Sequence, residues 1–268
     1  MAASNPDTQI VKAAIYPPIG IARVGNSEDE FFLAPEVPDP LPEKPGFYRD
    51  AEGALKRQAA RFRIYGLNAA GVAVRELTAD DAKIEWQVHL ANKKSAWFQF
   101  QLALDIPEAA DAPPTLLRNA TVSDRSALII DPGPRRISGK KQRGTKYTFG
   151  SGKFMGTPVY LGELLTDEAG RVIVLGGRGV SASYDKSKAI TFANNEGWHD
   201  DVSDGPVTAK VTWKGQELSV DPAWVVVAPP NYAPMQKSVR TMWDLMRDVA
   251  ITAKTLPKPP VPRRAPSR

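Results

Sequence analysis

The chain contains no cysteine among its 268 residues. This absence excludes disulfide bonds, thiolate metal ligands, cysteine nucleophiles and any cofactor built on a cysteine of this polypeptide. Histidine is nearly as scarce, with His89 and His199 as its two copies. Because a zinc site usually needs three or four nitrogen or sulfur donors, no zinc site is expected in this chain, and no residue is assigned as a metal ligand.

Long hydrophobic runs are missing as well. No stretch of about 18 apolar residues occurs, so no membrane partner is expected. The N-terminus, MAASNPDTQIVKAAIYPPIG, lacks both the basic region and the apolar region of a secretory signal peptide. We therefore expect a protein that is either cytoplasmic or exported without a recognisable signal peptide.

The net charge of +5 is concentrated at one end of the chain. Residues 255–268 carry four cations and no acid, which leaves about +1 for residues 1–254. A nucleic-acid-binding domain normally shows a basic face, so no nucleic acid is expected as a partner. One internal run, RRISGKKQRGTK (135–146), is basic. We interpret it as a solvated loop, with a phosphate-binding patch as the alternative.

Strand patterns dominate the sequence. Strict alternation of apolar and polar residues predicts strands at IEWQVHL (84–90), WFQFQL (97–102) and VTAKVTW (207–213). Continuous apolar runs at RVIVLGG (171–177) and AWVVVAPP (223–230) predict strands that are buried on both faces.

Turn residues divide these strands into hairpins. The segment RFRIYGLNAAGVAVREL (61–77) reads as two strands joined by a glycine-bearing turn, and TWKGQELSV (212–220) reads as a tight hairpin at Lys214-Gly215. With 20 glycines and 24 prolines, the composition favours a mainly β fold. We predict an antiparallel β-sandwich-like or barrel-like domain with irregular proline-rich loops, for example at 35–47.

The clearest helical pattern is SVRTMWDLMRDVA (238–250), where an apolar stripe recurs at helical spacing after Ser238 as a plausible N-cap. We predict a C-terminal amphipathic helix whose stripe packs in the core, and a second, shorter helix at 51–62. The domain is expected to span residues 1–254. Residues 255–268 contain five prolines and read as a basic linker or disordered tail.

The segment GWHDDVSDGP (197–206) groups Trp198, His199, Asp200, Asp201 and Asp204. The aspartates resemble oxygen ligands for a divalent cation, but their spacing differs from that of a calcium-binding EF-hand loop. Aspartate, serine, glycine and proline also form tight turns. A structural turn is the favoured interpretation, and a metal or acid–base role stays open at this point.

Five segments of the sequence resemble one quinoprotein family: IYPPIGIARVGNS (15–27), EFFLAPEVP (30–38), FYRDAEGALKRQAARFRIYG (47–66), GWHDDVSDGPV (197–207) and VVVAPPNYAP (225–234). They are similar to the N-terminal domain of the L-lysine ε-oxidase and glycine oxidase family, whose cofactor is cysteine tryptophylquinone. The resemblance runs from about Ile10 to about Ala250 and implies a β-rich fold.

The resemblance also implies an activity that this chain cannot perform alone. Members of the family deaminate an amino acid oxidatively with dioxygen, giving an aldehyde or keto product, ammonia and hydrogen peroxide. Their quinone forms from a cysteine and a tryptophan in the C-terminal part. Since this chain has no cysteine, the resemblance implies that the cofactor belongs to a C-terminal portion, in the same or a second chain.

Within the family, a loop of the N-terminal half approaches the substrate entrance. The block APPNYAP is the best match for that loop, so the resemblance assigns Tyr232, with Asn231 beside it, to the substrate channel. The alternative is that Tyr232 packs between Pro230 and Pro234 in a rigid turn. The resemblance favours a structural role for the His199 segment, in a turn or at an interdomain interface.

Two hypotheses follow from the sequence. The first is a non-catalytic N-terminal domain that scaffolds the oxidase portion and shapes its substrate channel, and a homo-oligomer is compatible with it. The alternative is a binding or interaction module that uses the basic loop 135–146. A salt-dependent affinity for an anionic polymer would distinguish the second from the first.

Overall fold

The structure, a computed structural model, describes residues 7–37, 40–41, 43–100, 115–232 and 242–255. Its residues group into two compact units. The larger unit extends to Asn231 and carries the strands, whereas the smaller one takes up the chain from Tyr232 and carries the helix. The domain bound at residue 254 stays a prediction, and most of the predicted tail lies outside the described residues.

Seventeen strands and one α-helix lie in the described part of the chain. The strands of the first half are β1 Lys12–Tyr16, β2 Ile19–Arg23, β3 Phe31–Leu33, β4 Arg57–Leu67, β5 Ala73–Leu77, β6 Ala82–Val88 and β7 Arg135–Ser138. Those of the second half are β8 Lys153–Phe154, β9 Thr157–Pro158, β10 Glu163–Thr166, β11 Val172–Leu175, β12 Ser181–Ser183, β13 Trp198–Asp200, β14 Ser203–Trp213, β15 Gln216–Leu218, β16 Val220–Asp221 and β17 Ala223–Ala228. The helix α1 is Met242–Thr252.

One mixed sheet organises the larger unit. Its main path runs β10-β11-β4-β2-β17-β14-β6-β7, with β1, β3, β5, β15 and β16 as side branches. The pairs β1–β16, β2–β17 and β3–β4 are parallel, and the other described pairs of this sheet are antiparallel. The predicted mainly β class is confirmed, but the pairing is mixed because β2 and β3 return beside β17 and β4 in the same direction.

The sheet curves until its two ends meet. Strands β7 and β10, at opposite ends of the path, lie side by side. Just beyond them, the Thr166 amide donates to the Gln142 carbonyl at 3.0 Å and the Lys141 amide donates to the Asp167 carbonyl at 3.0 Å. These bonds satisfy edge groups that an open sheet would leave to solvent. The architecture is therefore barrel-like and encloses the main core, while a small second cluster of Ala59, Ile173 and Leu175 lies apart from it.

Trp86 crosses this core. The side chain points inward from β6 and is 1% exposed. Its indole Nε1 donates to the Gly170 carbonyl, 2.9 Å away, in the turn between β10 and β11. The bond thus ties the β6–β7 end of the sheet to the β10–β11 end from the inside. The other large, fully buried side chains include Phe62, Phe149, Phe154, Ile64, Leu77, Leu90, Leu128, Ile130, Ile137, Leu161 and Leu164.

Most of the predicted strands are present. Residues 84–88 and 207–213 form parts of β6 and β14, and their inward positions include Trp86 and Val211. Both predicted hairpins occur, β4–β5 and β14–β15, and the second turns at Lys214 and Gly215 with φ of 48° and 84°. All four residues of β11 are buried, as predicted.

Three local predictions are wrong. The segment 51–62 is no helix, because 51–53 is a turn and β4 begins at Arg57. The outward face of β17 is not buried, since Trp224 is 43% exposed. Residues 97–100 make only an isolated bridge, Phe98 to Leu117, instead of a strand, and residues 101–102 lie outside the described part.

The helix also differs from its prediction. It exists as α1, but its apolar stripe is exposed, with 60–72% exposure at Met242, Trp243, Met246 and Val249. The predicted cap at Ser238 lies outside the described residues. Helical periodicity identifies an apolar stripe but supplies no surface to cover it. The described part of the smaller unit around α1 offers no second element for that purpose.

An ionic network covers the outer face of β4 and β5. Arg61 binds both oxygens of Glu36 at 2.7 Å, and Arg63 binds the same carboxylate at 2.7 Å. The hydrogen bond from Arg61, followed by that from Arg63, holds the pKa of Glu36 at about 2. Glu76 and Arg171 extend the network with bonds of 2.5 and 3.0 Å. Asp167 pairs with both Arg61 and Arg171 at 3.4 Å, so three arginines face three carboxylates and the network is neutral.

The cross-core bond of Trp86 can be tested by substitution. Trp86→Phe removes the indole donor, leaves the Gly170 carbonyl unpaired and opens space, so we expect a loss of about 3 kcal/mol in the free energy of unfolding. Trp224→Phe is the matched control: Trp224 is half-exposed on β17 and also donates a hydrogen bond, to Asp204. Its loss should stay below about 1 kcal/mol. Urea unfolding followed by circular dichroism measures both, and equal losses would contradict the assignment.

Candidate functional site

The segment around His199 is a paired strand followed by a bend. Strand β13 pairs antiparallel with β12, and Ala182 lies opposite His199. The bend is confined to Asp201 and Val202, because β14 starts at Ser203. The predicted turn is therefore shorter than the sequence suggested, and Asp204 lies within a strand.

His199 is buried inside the larger unit. Its ring is 7% exposed and packs on Phe154 with 5.1 Å between ring centroids. Burial is the main influence on this imidazole and lowers its pKa. Nδ1 makes no hydrogen bond within the described part of the chain. The histidine is thus a neutral packing residue at pH 7.

Asp201 is buried in a glycine-rich loop. It is 2% exposed, and burial raises the pKa of its carboxyl group, while the backbone amides of Val180, Arg178 and Gly179 act in the opposite direction. The loop approaches so closely that a Cβ on Gly177 would lie 2.4 Å from Asp201 Oδ2. The aspartate therefore organises the backbone of the loop after β11.

The other aspartates of the segment face outward. Asp200 accepts a hydrogen bond from Asn92 at 2.9 Å and pairs with Lys94. Asp204 accepts a hydrogen bond from Trp224 Nε1 at 3.0 Å on the outer face of β14. The three carboxylates consequently point to different partners and do not converge.

Trp198 is tied to a neighbouring loop through its backbone carbonyl. Its carbonyl accepts a hydrogen bond of 2.8 Å from Ser95 Oγ. Next to it, Asn119 Oδ1 accepts from the Gly197 amide at 2.7 Å, and Asn119 Nδ2 donates to the Ser95 carbonyl at 2.8 Å. The Asn119-Ala120-Thr121 sequence is therefore a buried structural junction, with Asn119 only 2% exposed.

The described side chains of this segment are not arranged as a proton relay or as a metal-binding group. His199, Asp201 and Ser203 alternate and are all buried, but none of them hydrogen-bonds to another, so they form no proton relay. His89, the other histidine, is bonded to Asp131 at 2.6 Å on the surface. Within the described ranges, no three His, Asp or Glu side chains are grouped to hold a metal ion.

The basic run 135–146 is mostly engaged within the domain. It is partly strand β7 and partly turn, rather than an open loop. Arg135 donates to the Thr148 carbonyl at 2.7 Å and stacks on Phe149 at 5.7 Å. The further partners are Gln87 for Arg136, Asp80 for Lys140, Glu168 for Lys141 and the Tyr147 ring for Lys146. Among these partners only Asp80 and Glu168 are acidic, so Lys140 and Lys141 are paired with an opposite charge, whereas Arg135, Arg136 and Lys146 keep their positive charge.

Asn231 and Tyr232 lie just beyond β17, at the change from one unit to the other. Tyr232 is 85% exposed, and Pro234, one of the two prolines of the alternative interpretation, lies outside the described residues. Asn231 is also exposed. The exposure leaves the Tyr232 ring accessible, and the channel assignment remains a prediction.

Comparison with known proteins assigns the β unit to a protein family. The family model described as "L-Lysine epsilon oxidase N-terminal" matches residues 16–227. The chain belongs to this family. The L-lysine 6-oxidase of Marinomonas mediterranea is 33% identical over 274 aligned residues, covering 89% of this chain.

Solved structures of the Marinomonas mediterranea L-Lys ε-oxidase have the same fold. One gives a TM-score of 0.66, and the Schiff base intermediate with L-Lys gives 0.68, each at 31% identity and covering 89% of this chain. This chain spans 37% of the curated relative and 39% of each solved chain. The likeness to the lysine ε-oxidases is therefore a likeness to one part of them.

Only some of the residues singled out from the sequence lie within the range that the family model matches. The His199 segment and the basic run lie inside residues 16–227, whereas Asn231 and Tyr232 lie outside them. In the part of the chain that is described, no helix is long and apolar enough to cross a bilayer.

Sequence reasoning missed a buried ion pair beneath the same glycine-rich loop. Arg57 is 2% exposed and binds Glu163 at 3.0 Å and the Gly176 carbonyl at 3.3 Å. Tyr160 lies beside this pair, and burial is the main cause of its raised pKa. The missed signal was the first of three arginines in β4, at a position that sequence alone cannot connect to residues more than 100 positions away.

Substitution of the buried Asp201 and of the exposed Asp204 tests whether burial decides their contribution to stability. Asp201→Ala leaves the amides of the 178–180 loop without their acceptor, so we expect a loss of about 3 kcal/mol or more in unfolding free energy. Asp204→Ala removes one exposed contact, and its loss should stay within about 1 kcal/mol. Urea titration at pH 7 monitored by tryptophan fluorescence compares them, and the reverse order would refute the assignment.

His199 predicts a pH effect on stability. Because burial holds its pKa below the ordinary value of 6.5, the unfolded chain binds the proton more readily than the folded one. The contribution of neutral His199 is complete above pH 6.5 and diminishes as the pH falls through 6.5 toward the folded-state pKa. We expect His199→Phe to flatten this decline between pH 7 and 5. Urea midpoints across that range provide the measurement, and an unchanged slope would disprove it.

Proposed function

We propose that this chain is the N-terminal, non-catalytic domain of a quinone-dependent amino-acid oxidase. It acts together with a cysteine-containing C-terminal portion, in the same or a second polypeptide. The observation that carries the proposal is the family match over residues 16–227, combined with coverage of less than two fifths of the relatives. Most of the polypeptide of those relatives has no counterpart in this chain.

The family's cysteine tryptophylquinone does not fit the residues present. This cofactor requires a cysteine, and the sequence has none. The buried titratable groups His199, Asp201 and Arg57 serve packing and loop geometry, as their burial and contacts indicate. No reaction step is therefore assigned to this chain. Its proposed contribution is to hold the C-terminal portion in place and to shape the substrate channel.

The activity proposed for the assembled protein is oxidative deamination of an amino acid, at the lysine ε-amine or at glycine. The products would be an aldehyde or keto compound, ammonia and hydrogen peroxide. Within it, Tyr232 with Asn231 would line the substrate entrance. The 85% exposure of Tyr232 supports this role, because an exposed ring just beyond β17 can contact a substrate or a neighbouring surface.

The alternative is a polyanion-binding module that uses the basic run 135–146. Lys140 and Lys141 pair with carboxylates, whereas Arg135 and Arg136 bind neutral acceptors and keep their charge. A salt-dependent affinity for an anionic polymer that is lost when these four residues are neutralised would favour this alternative.

Intact mass spectrometry of the protein from its native source tests the proposal. We expect either a longer chain or a tightly bound second chain that contains a cross-linked cysteine and tryptophan. That assembly should release peroxide from lysine or glycine, whereas the 268-residue chain alone should release none. A lone chain of 29.2 kDa without partner or modification would overturn the proposal.

The channel assignment has a separate test in the active assembly. Tyr232→Ala should raise KM for the amino acid by about tenfold with a smaller change in kcat, since it alters access and not the chemistry. Tyr184→Ala, at a 44% exposed tyrosine of the loop after β12, is the matched control and should leave KM unchanged. Equal effects of the two substitutions would reject the assignment.

A further inference from the structure

We infer that an open cavity beside strand β7 binds a free amino acid in its zwitterionic form. The cavity has a volume of about 230 Å³ and lies between the outer face of β6 and β7 and the short 3₁₀ turn Thr145–Tyr147. Its lining residues are Glu85, Arg136, Ile137, Ser138, Lys146 and Tyr147. The inference goes beyond the proposed function and does not depend on it.

The register of β6 and β7 places charges of both signs on one face of the sheet. Glu85 lies directly opposite Ser138, and Gln87 lies directly opposite Arg136. Directly opposed residues of an antiparallel pair point to the same face. Ile137 points inward and is 2% exposed, whereas Glu85, Ser138 and Arg136 are exposed. A carboxylate, a hydroxyl and a guanidinium group therefore share the outer face at this point.

Both cations of the cavity keep their charge available for a ligand. Arg136 uses its Nε for a hydrogen bond of 2.8 Å to Gln87, a neutral amide, and among the described residues its Nη groups have no acceptor. Lys146 Nζ lies 4.7 Å from the centroid of the Tyr147 ring and forms no ion pair with a described carboxylate. A guanidinium and an ammonium group together are suited to binding a carboxylate.

Glu85 supplies the opposite charge in the same cavity. Within the described part of the chain it forms no ion pair, either with the two cations of the cavity or with Lys210, which lies opposite it on β14. A carboxylate at this place repels a phosphate group but attracts an ammonium group. The set of charges therefore fits a ligand that carries one carboxylate and one ammonium group.

The size of the cavity agrees with such a ligand. One water molecule takes up about 30 Å³ of the liquid, so the cavity has room for about eight of them. Sites for drug-sized ligands measure about 300–1,000 Å³. A cavity below that range is suited to a smaller compound, and a single amino acid is of this size.

The lining residues assign each end of the ligand to a partner. We expect its carboxylate to bind Arg136 and Lys146, and its ammonium group to bind Glu85, with the Ser138 hydroxyl between them. Because ion pairs at an exposed surface each contribute little, the dissociation constant should lie in the millimolar range.

Titration of the ¹⁵N-labelled 268-residue chain with glycine, followed by ¹H–¹⁵N NMR at pH 7 and constant ionic strength, tests the inference. We expect saturable shifts of the amide signals of residues 85, 136–138 and 146–147. Acetate and methylammonium each carry one of the two charges of glycine. Each of them should therefore bind at least about fivefold more weakly than glycine does.

Two substitutions separate the roles of the charges. Glu85→Gln keeps the size of the side chain and removes its charge, so it should weaken glycine binding at least about fivefold without weakening acetate binding. Lys146→Gln should weaken the binding of both. Glu217→Gln, at an exposed glutamate of β15, is the matched control and should leave glycine binding unchanged. The NMR spectra also verify that the variants are folded.

Three results would overturn the inference. Shifts that do not saturate below about 100 mM glycine would show that the cavity has no useful affinity. Saturable shifts confined to other residues would place the ligand elsewhere. Phosphate or acetate binding as tight as that of glycine, or glycine binding that persists in Glu85→Gln, would show an anion site only. None of these results bears on the proposed function, which is decided by the cofactor and by peroxide release.

Discussion

The hydrogen bond between the Trp86 indole and the Gly170 carbonyl is the contact on which the barrel-like architecture depends most. It joins the two ends of the sheet from inside, while the Thr166–Gln142 and Lys141–Asp167 backbone bonds join them at the rim. A mixed sheet that closes in this way encloses one core without leaving a long open edge. The closure also fixes the β10–β11 end, from which the glycine-rich loop leaves to surround Asp201.

The sequence predicted the elements that depend on local pattern. Alternation located β6 and β14, and Lys214-Gly215 marked its hairpin, because period and turn chemistry act within a few residues. The parallel pairing of β2 with β17 was not predictable, since Ile19 and Trp224 lie more than 200 positions apart. The exposed stripe of α1 shows the same limit: periodicity shows which face is apolar, but not whether anything covers it.

The candidate site was predicted only in outline. A structural role for the His199 segment agrees with its burial, yet the reason lies in tertiary contacts. Asp201 is buried because a loop from another strand folds over it, and Asp204 is exposed although it stands three positions away. Two aspartates of one short segment thus have opposite environments. The resemblance to the lysine ε-oxidases carried the functional interpretation, because the chemistry it implies needs a residue this chain does not have.

The buried junction at Asn119 has a practical consequence for producing the protein. Asn119-Ala120-Thr121 is a glycosylation sequon, and a secretory pathway that modifies sequons would reach it in the nascent chain. A glycan there would displace the bonds to Ser95 and Gly197 and force apart the segments that Asn119 joins. Expression in the bacterial cytoplasm avoids this conflict between modification and folding.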